Sequence, residues 1–424
     1  MRRFMAIAVT AGVLTGLATS PVAEAASARA TGKAGATGPV MKWHSAEILP
    51  PPAEGGTIAT VNPQAVSCSA PGYCAAGGYE SFVPAHSEFG QNAAIVATES
   101  RGHWSRFSAL QLPADATSDN VTDQVTGISC PADGECFAVG DYIATVGLGT
   151  QELGFIAKES AGKWAQAVAV TPPASETAFT VTLDSVSCAS RAFCVASGAI
   201  YTDTITTPSP GPLMMTLSAG KWQPGPAPAT PAGPTSVAVS CRARGACVAV
   251  GALDYSPDSV SSVGWIESKG HWGRPVTLQA PTGGSADLAT SISCSAVGSC
   301  VAVGSFLPGV APMQMVLASG HWRREVALGG HGQPRPRFGD VSCTRWLCVA
   351  VGTNGKNLSY ALTERHGKEL GNAVLIGLPS NATRNKTRQQ AFTQAVACLG
   401  KGLCTAVGYY QTKAYASAAF VATS

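Results

Sequence analysis

One phrase recurs seven times and restricts what this chain can become: Ser-Cys, a short loop, Cys, then a small-and-valine run closing on Gly. It reads Ser67-Cys68…Cys74-Ala75-Ala76-Gly77, Ser129-Cys130…Cys136-Phe137-Ala138-Val139-Gly140 and Ser187-Cys188…Cys194-Val195-Ala196-Ser197-Gly198. It returns as Ser240-Cys241…Cys247-Val248-Ala249-Val250-Gly251, Ser293-Cys294…Cys300 and Ser342-Cys343…Cys348. The last copy, Ala397-Cys398…Cys404-Thr405-Ala406-Val407-Gly408, carries Ala in place of Ser. The copies use all 14 cysteines and recur every 49 to 62 residues, the mark of a repeat architecture. Seven such units in 424 residues argue for one closed repeat domain rather than two or three ordinary ones.

A second phrase follows each of the first six copies, after a variable loop and an apolar run. It reads Glu99-Ser100-Arg101-Gly102-His103-Trp104 and Glu159-Ser160-Ala161-Gly162-Lys163-Trp164, then Ser218-Ala219-Gly220-Lys221-Trp222. It continues as Glu267-Ser268-Lys269-Gly270-His271-Trp272 and Ser319-Gly320-His321-Trp322, and the sixth copy, His366-Gly367-Lys368-Glu369, has lost its Trp. A Gly between an apolar run and a Trp-led strand is a tight hairpin turn. Each unit therefore reads strand, Cys loop, strand, variable loop, strand, Gly turn, strand. Four antiparallel strands in about 50 residues make one propeller blade.

The fold predicted is all-β: a seven-bladed β-propeller with four antiparallel strands and one disulfide per blade. Blades span approximately 57–112, 113–172, 173–230, 231–280, 281–330, 331–378 and 379–424 plus 39–50. The seventh unit stops at Ala419-Phe420-Val421-Ala422-Thr423-Ser424 with no Trp strand, while Pro39-Val40-Met41-Lys42-Trp43 precedes the first Cys phrase. The N-terminal strand is expected to complete the last blade, which removes two exposed sheet edges. The other Trp residues are read as packing anchors.

Residues 1–25 read as a secretory signal: Arg2 and Arg3, the apolar stretch Met5 to Ala18, and the A-x-A site Ala23-Glu24-Ala25. Residues 26–38 read as a flexible spacer. An exported chain with regularly paired cysteines is a disulfide framework, with pairs Cys68–Cys74, Cys130–Cys136, Cys188–Cys194, Cys241–Cys247, Cys294–Cys300, Cys343–Cys348 and Cys398–Cys404. Zinc sites want closer spacing and a second pair or histidines nearby, so no metal and no cofactor are expected. Charged residues are 12% and the formal charge is +3 with no basic block, so nothing points to nucleic acid. No stretch after the signal is long and apolar enough for a membrane helix. A monomer is expected, located outside the cell.

The two phrases together resemble those of secreted bacterial β-propellers with Ser-Cys…Cys-x-Ala-Val-Gly repeats, common in actinobacteria. Those are similar in turn to the sialidase-like superfamily, whose Asp-box hairpin reads Ser-x-Asp-x-Gly-x-x-Trp. Here Ser160…Gly162…Trp164 keeps the Ser, Gly and Trp in shortened form, and the Asp is missing from every copy. A sialidase needs an arginine cluster, a Tyr/Glu pair and an acid, none of which appears by motif.

The Cys loops and Gly turns fall on one rim and the variable loops on the other, where function tends to sit. Just past the second-strand Gly, aromatic side chains recur: Tyr79, Tyr142, Tyr201, Tyr255, Phe306, Tyr409 and Tyr410. Polar groups accompany them, namely Glu80, His86, Glu88, Asp141, Asp203, Asp254, Asp258, Asn354, Lys356 and Lys413. Rings beside polar groups suit sugars or peptides; the same residues would also serve to pack under their own loops. The expectation is a non-catalytic binder of an extracellular glycan or protein. The alternative is a sialidase-like glycoside hydrolase or polysaccharide lyase, with Glu88 and Asp254 as a conceivable carboxylate pair and Arg335 and Arg337 held in a Pro-flanked turn. His103, His271 and His321 exchange with Lys163, Lys221 and Lys368 at the Gly turns, which marks a solvated position. Asn120, Asn381 and Asn385 begin glycosylation acceptor triplets.

Overall fold

The computed structural model describes residues 41–424 except 53–56, 85–89, 118–121, 148, 171–177, 203–208, 231–233, 255–259, 279–286, 307–310, 324–325, 329–336, 355–356, 365–372, 386–388 and 415. The signal and spacer segments lie outside the described residues, as do Asn120, Arg335 and the degenerate sixth Gly phrase. Seven antiparallel sheets follow one another; six are meanders in sequence order, and the seventh takes its outer strand from the N-terminal segment. The first strands, Thr57–Ala70, Gln124–Ala132, Ala178–Ser190, Pro234–Ala243, Asp287–Ala296, Arg337–Cys343 and Ala391–Leu399, touch neighbour to neighbour around a complete circle. The fold is a seven-bladed β-propeller with one disulfide per blade.

Each second strand is buried on both faces, and its alternation decides which junction each side chain fills. In the fourth blade Cys247 and Ala249 pack toward the third blade, while Val248 and Val250 pack toward the fifth. The core is accordingly seven apolar clusters, one at each junction between blades. The tryptophans are wedges in these clusters. Trp104, Trp164, Trp222, Trp272, Trp322 and Trp43 each pack into the junction with the preceding blade. The junction of the fifth and sixth blades has no Trp in its cluster, in line with the missing Trp of the sixth Gly phrase.

The Gly that ends the Cys phrase answers a β-bulge. Six first strands have a register shift opposite the end of that phrase, and in the fourth blade the shift falls later, opposite Ala252 and Leu253; the extra residue pushes the backbone toward the second strand. A Cβ at Gly140 would lie 1.9 Å from the Gln124 carbonyl oxygen, and the corresponding glycines of five other blades stand 1.9–2.0 Å from theirs. In the first blade that position belongs to Gly78, not to Gly77, whose Cβ would instead meet Val125 of the next blade. The Gly turns are primed hairpins: Ala161 and Gly162 have φ of 50° and 80°. Gly102 N–H donates to the Gly72 carbonyl and Gly320 N–H to the Gly298 carbonyl, so Gly turn and Cys loop do share one rim.

The seventh blade is closed by the N-terminal segment. The pairing strand is Glu47–Leu49, set against Ala419–Val421, a few residues later than the Trp43 strand the sequence suggests. His44 N–H donates to the Thr423 carbonyl just before it. Trp43 occupies the same wedge position as its counterparts, and Leu49, six residues on, is buried like Leu110, six residues after Trp104. The seven predicted disulfides are all present, with Cα separations of 3.9–4.0 Å; six join directly opposed strand positions, and the Cys130–Cys136 bond spans a register shift.

Candidate functional site

The parity of the second strand sorts the predicted rim aromatics. Six residues past the second Cys, the side chain turns into a blade junction. Tyr142 and Tyr410 stand there, both fully buried. The Tyr142 hydroxyl donates to Asp115 Oδ1 at 3.0 Å and the ring packs edge-on to Phe155; the Tyr410 hydroxyl donates to Asn381 Oδ1 at 2.6 Å and packs edge-on to Phe420. Each is pinned by a matching turn, Leu112-Pro113-Ala114-Asp115-Ala116-Thr117 and Leu378-Pro379-Ser380-Asn381-Ala382-Thr383. These two tyrosines are core groups rather than ligand contacts, a correction to the sequence reading. Phe306, at the same offset, is half-buried against the junction of the fourth and fifth blades.

Five residues past the Cys, the side chain points the other way, and there Tyr79 and Tyr409 stand in the first and seventh blades. These blades are neighbours across the closure, so the two tyrosines come together. Each faces a partner across its hairpin: Asn62 opposite Tyr79, and Phe392 opposite Tyr409. Asn62 Nδ2 donates to the Tyr79 hydroxyl at 3.1 Å. Phe392 stacks on Tyr409 with centroids 4.9 Å apart and planes inclined by 22°. Burial, then the neighbouring Tyr79, push the Tyr409 phenol up from its ordinary value.

The two blades enclose a cavity of about 400 Å³ on the variable-loop rim, lined by Thr60, Asn62, Tyr79, Tyr409, Gln411 and Ser417 among others, with Tyr410 sealed at its edge. Asn62 is 7% exposed, yet among the described residues its Oδ1 has no hydrogen-bond partner, and neither has the buried Ser417 Oγ. Asn62, Gln411 and Ser417 were not singled out by sequence. The available signal was the polar residue opposite a rim tyrosine in the first strand, where the seventh blade carries Phe392.

Elsewhere on the rim the predicted residues scatter. Tyr201 is half-buried; burial raises its phenol, and the charges of Asp184, Glu152 and Asp141 add to that. Asp184 and Glu152 also act on Asp141, although Asp184 is bonded toward the fourth blade and lines the axial channel. Asp141 is 4% exposed; burial lifts it well above the carboxylate range, although Leu183 N–H donates to its Oδ1 at 2.8 Å. Burial holds Asp184 at about 7 despite a 2.8 Å bond from Val237 N–H. Burial raises Glu152 and Glu80 as well, and Glu80 Oε2 is buried with no partner among the described residues. Lys413 and Arg337 are exposed and Asn354 is half-buried. Tyr255, His86, Glu88, Asp203, Asp258, Lys356 and the side chain of Asp254 lie outside the described residues.

Two other cavities are built differently. The axial channel, about 270 Å³, is lined by the first strands of all seven blades, including Asp184 and Asp340. Asp340 accepts from Ser291 Oγ, Val341 N–H and Val396 N–H, which ties it into the framework. A groove of about 600 Å³ between the second and third blades is walled by Phe137, Ile156, Val168, Met215 and Trp222. Lys158 and Arg191 at its edge both pair with Glu135. No group of three metal-ligating side chains is found among the described residues, nor is any helix long and apolar enough to cross a membrane.

No family model matches the chain, and no curated protein matches its sequence. Its fold is similar to that of solved structures. The crystal structure of a protein of unknown function from Dyadobacter fermentans superposes with a TM-score of 0.50 at 10% identity, over 91% of this chain and 99% of that one. A Trypanosoma rangeli sialidase in complex with sialic acid gives 0.46 at 10% identity, over 91% of this chain and 58% of that one. The six-bladed fucose-recognising lectin of Aleuria aurantia gives 0.43 at 11% identity, over 74% of this chain and 96% of that one. At these identities the likeness is one of fold alone.

Proposed function

We propose that this chain is an exported, non-catalytic propeller that binds an extracellular glycan or protein through its variable-loop rim. The observation that supports it most is the cavity at the closure, where two tyrosine rings stand beside amide and hydroxyl groups. Rings supply stacking area at low entropic cost, and the polar groups around them fix orientation. Export is supported by the signal-like residues 1–25 and by the seven disulfides, which persist in oxidising compartments. The test is a glycan array and a defined-ligand pull-down with wild type and a Tyr79→Ala/Tyr409→Ala variant. Signal should vanish in the variant while its melting curve stays cooperative; retention of full signal refutes the rim reading.

A second reading rests on the acidic side chains Asp141, Glu152 and Asp184. Burial holds Asp184 at about 7, the direction of shift a general acid needs. Against it, Asp141 and Asp184 each spend an oxygen on a backbone amide of the neighbouring blade. Turnover of any glycoside substrate, abolished by Asp184→Asn or Glu152→Gln, would favour this reading over binding alone.

A further inference from the structure

Asn62 is nine-tenths buried, lines the closure cavity and leaves its Oδ1 unpaired among the described residues. A buried acceptor with no donor is destabilising, and turning the amide over would strand Nδ2 instead. Such orphan groups in native structures mark a missing partner, either water or ligand. Ser417 Oγ, in the same lining, repeats the pattern. Thr60, Gln390 and Gln411 add further neutral donors and acceptors, and none of the described lining residues carries a charge. The aromatic wall is fixed in place, because Phe392 stacks behind Tyr409.

We infer that the closure cavity between the first and seventh blades reads an uncharged pyranose, which stacks on Tyr409 and offers hydroxyl hydrogens to Asn62 Oδ1 and Ser417 Oγ. The inference rests on the rim-binding reading above and narrows it. A sugar ring presents an apolar face for a phenol and a belt of hydroxyls for amides, which is the mixture this lining offers. An acidic sugar would bring a carboxylate to a half-buried place with no described cation, and an unpaired buried charge is strongly disfavoured. The volume of about 400 Å³ sits at the small end of the range for ligand pockets, which suits one or two rings rather than a long chain.

The experiment titrates the oxidised, exported protein by calorimetry with matched probes: methyl galactoside against galacturonic acid, methyl glucoside against glucuronic acid, and N-acetylglucosamine against N-acetylneuraminic acid. At least one neutral probe should bind, and its acidic counterpart should bind at least tenfold more weakly. Ser417→Ala removes no internal hydrogen bond, so it should fold normally and weaken the neutral probe roughly 2- to 10-fold. Asn62→Ala should weaken it at least as much. Equal or tighter binding of an acidic probe overturns the inference, as does the absence of binding by every neutral probe. Array signal confined to acidic glycans and lost in Tyr79→Ala/Tyr409→Ala would overturn the inference yet leave rim binding standing. Array signal untouched by those substitutions would remove both.

Discussion

The hydroxyl of Ser187 accepts a 2.9 Å hydrogen bond from the backbone N–H of Cys241, the cysteine that begins the next blade's phrase. The same bond links Ser67 to Cys130, Ser129 to Cys188, Ser240 to Cys294, Ser293 to Cys343 and Ser342 to Cys398. The Ser of each Ser-Cys pair is thus a clasp to the following blade, while the Cys beside it is a staple within its own. Only the closing junction lacks the hydroxyl, because Ala397 stands where the seventh Ser would be.

Ser187→Ala should therefore cost about 1–3 kcal/mol, because it leaves the part-buried Cys241 amide without its partner. Ala397→Ser should add a comparable amount by offering Cys68 the clasp its counterparts have. Guanidinium unfolding midpoints at constant slope measure both. No gain from Ala397→Ser would show that the closing junction already satisfies that amide another way.

Gly140→Ala should destabilise by several kcal/mol, since the new methyl lands 1.9 Å from the Gln124 carbonyl oxygen and the bulge cannot retreat without disturbing the blade. Gly149→Ala in the same blade, whose nearest foreign atom is 3.9 Å away, is the matched control and should be near neutral. Thermal melts of the pair distinguish a steric cost from a general loss of glycine.

Asp184 predicts an inverted pH dependence. Its folded value of about 7 lies above the unfolded carboxylate value near 4, so folding takes up a proton between those limits. Its contribution is most favourable at and below about pH 4 and is lost as pH rises toward 7. Asp340 and Asp141 are displaced in the same direction, each chiefly by burial. Melting temperature should fall from pH 4.5 to 7.5, and Asp184→Asn, which can still accept from Val237, should flatten that slope. An unchanged slope in the variant would refute the assignment.

Tyr142→Phe should lower stability by about 1 kcal/mol through loss of the bond to Asp115 and leave ligand binding untouched. Tyr409→Ala should do the reverse in emphasis, with binding lost at modest cost in stability. Parallel calorimetry and melting of the two variants check the division of labour read from strand parity.

Removing one staple by Cys188→Ala/Cys194→Ala should cost about 2 kcal/mol on the chain-entropy account of a small ring. Peptide mapping under non-reducing conditions should return only linkages within a blade. A linkage between blades would contradict the architecture.

Much of this was written in the sequence. The seven Cys phrases announced the blade count and the pairing of sulfurs, because both partners of each disulfide sit in one hairpin. The missing Trp strand after Phe420 announced the closure, because a sheet short of a strand at one end needs one from the other. The role of Ser187 was not legible: its partner is Cys241, a full blade away, and no local pattern connects them. The rim was only half legible. Tyr409 and Tyr410 are adjacent letters, yet one faces the cavity and the other a junction, and a period of two gives alternation without saying which set is which. Asn62 was missed because it matters only through its place opposite Tyr79 and next to the seventh blade.

The strand Glu47–Leu49, laid beside Ala419–Val421, has a further meaning for the life of the molecule. Thr60, Asn62 and Tyr79 belong to the first blade, whereas Tyr409, Gln411 and Ser417 belong to the seventh. The cavity they line forms only where the first and seventh blades meet, so binding by the proposed rim would await closure of the ring. On that reading, removing the Glu47–Leu49 strand would open the closing blade and weaken binding without touching a contact residue.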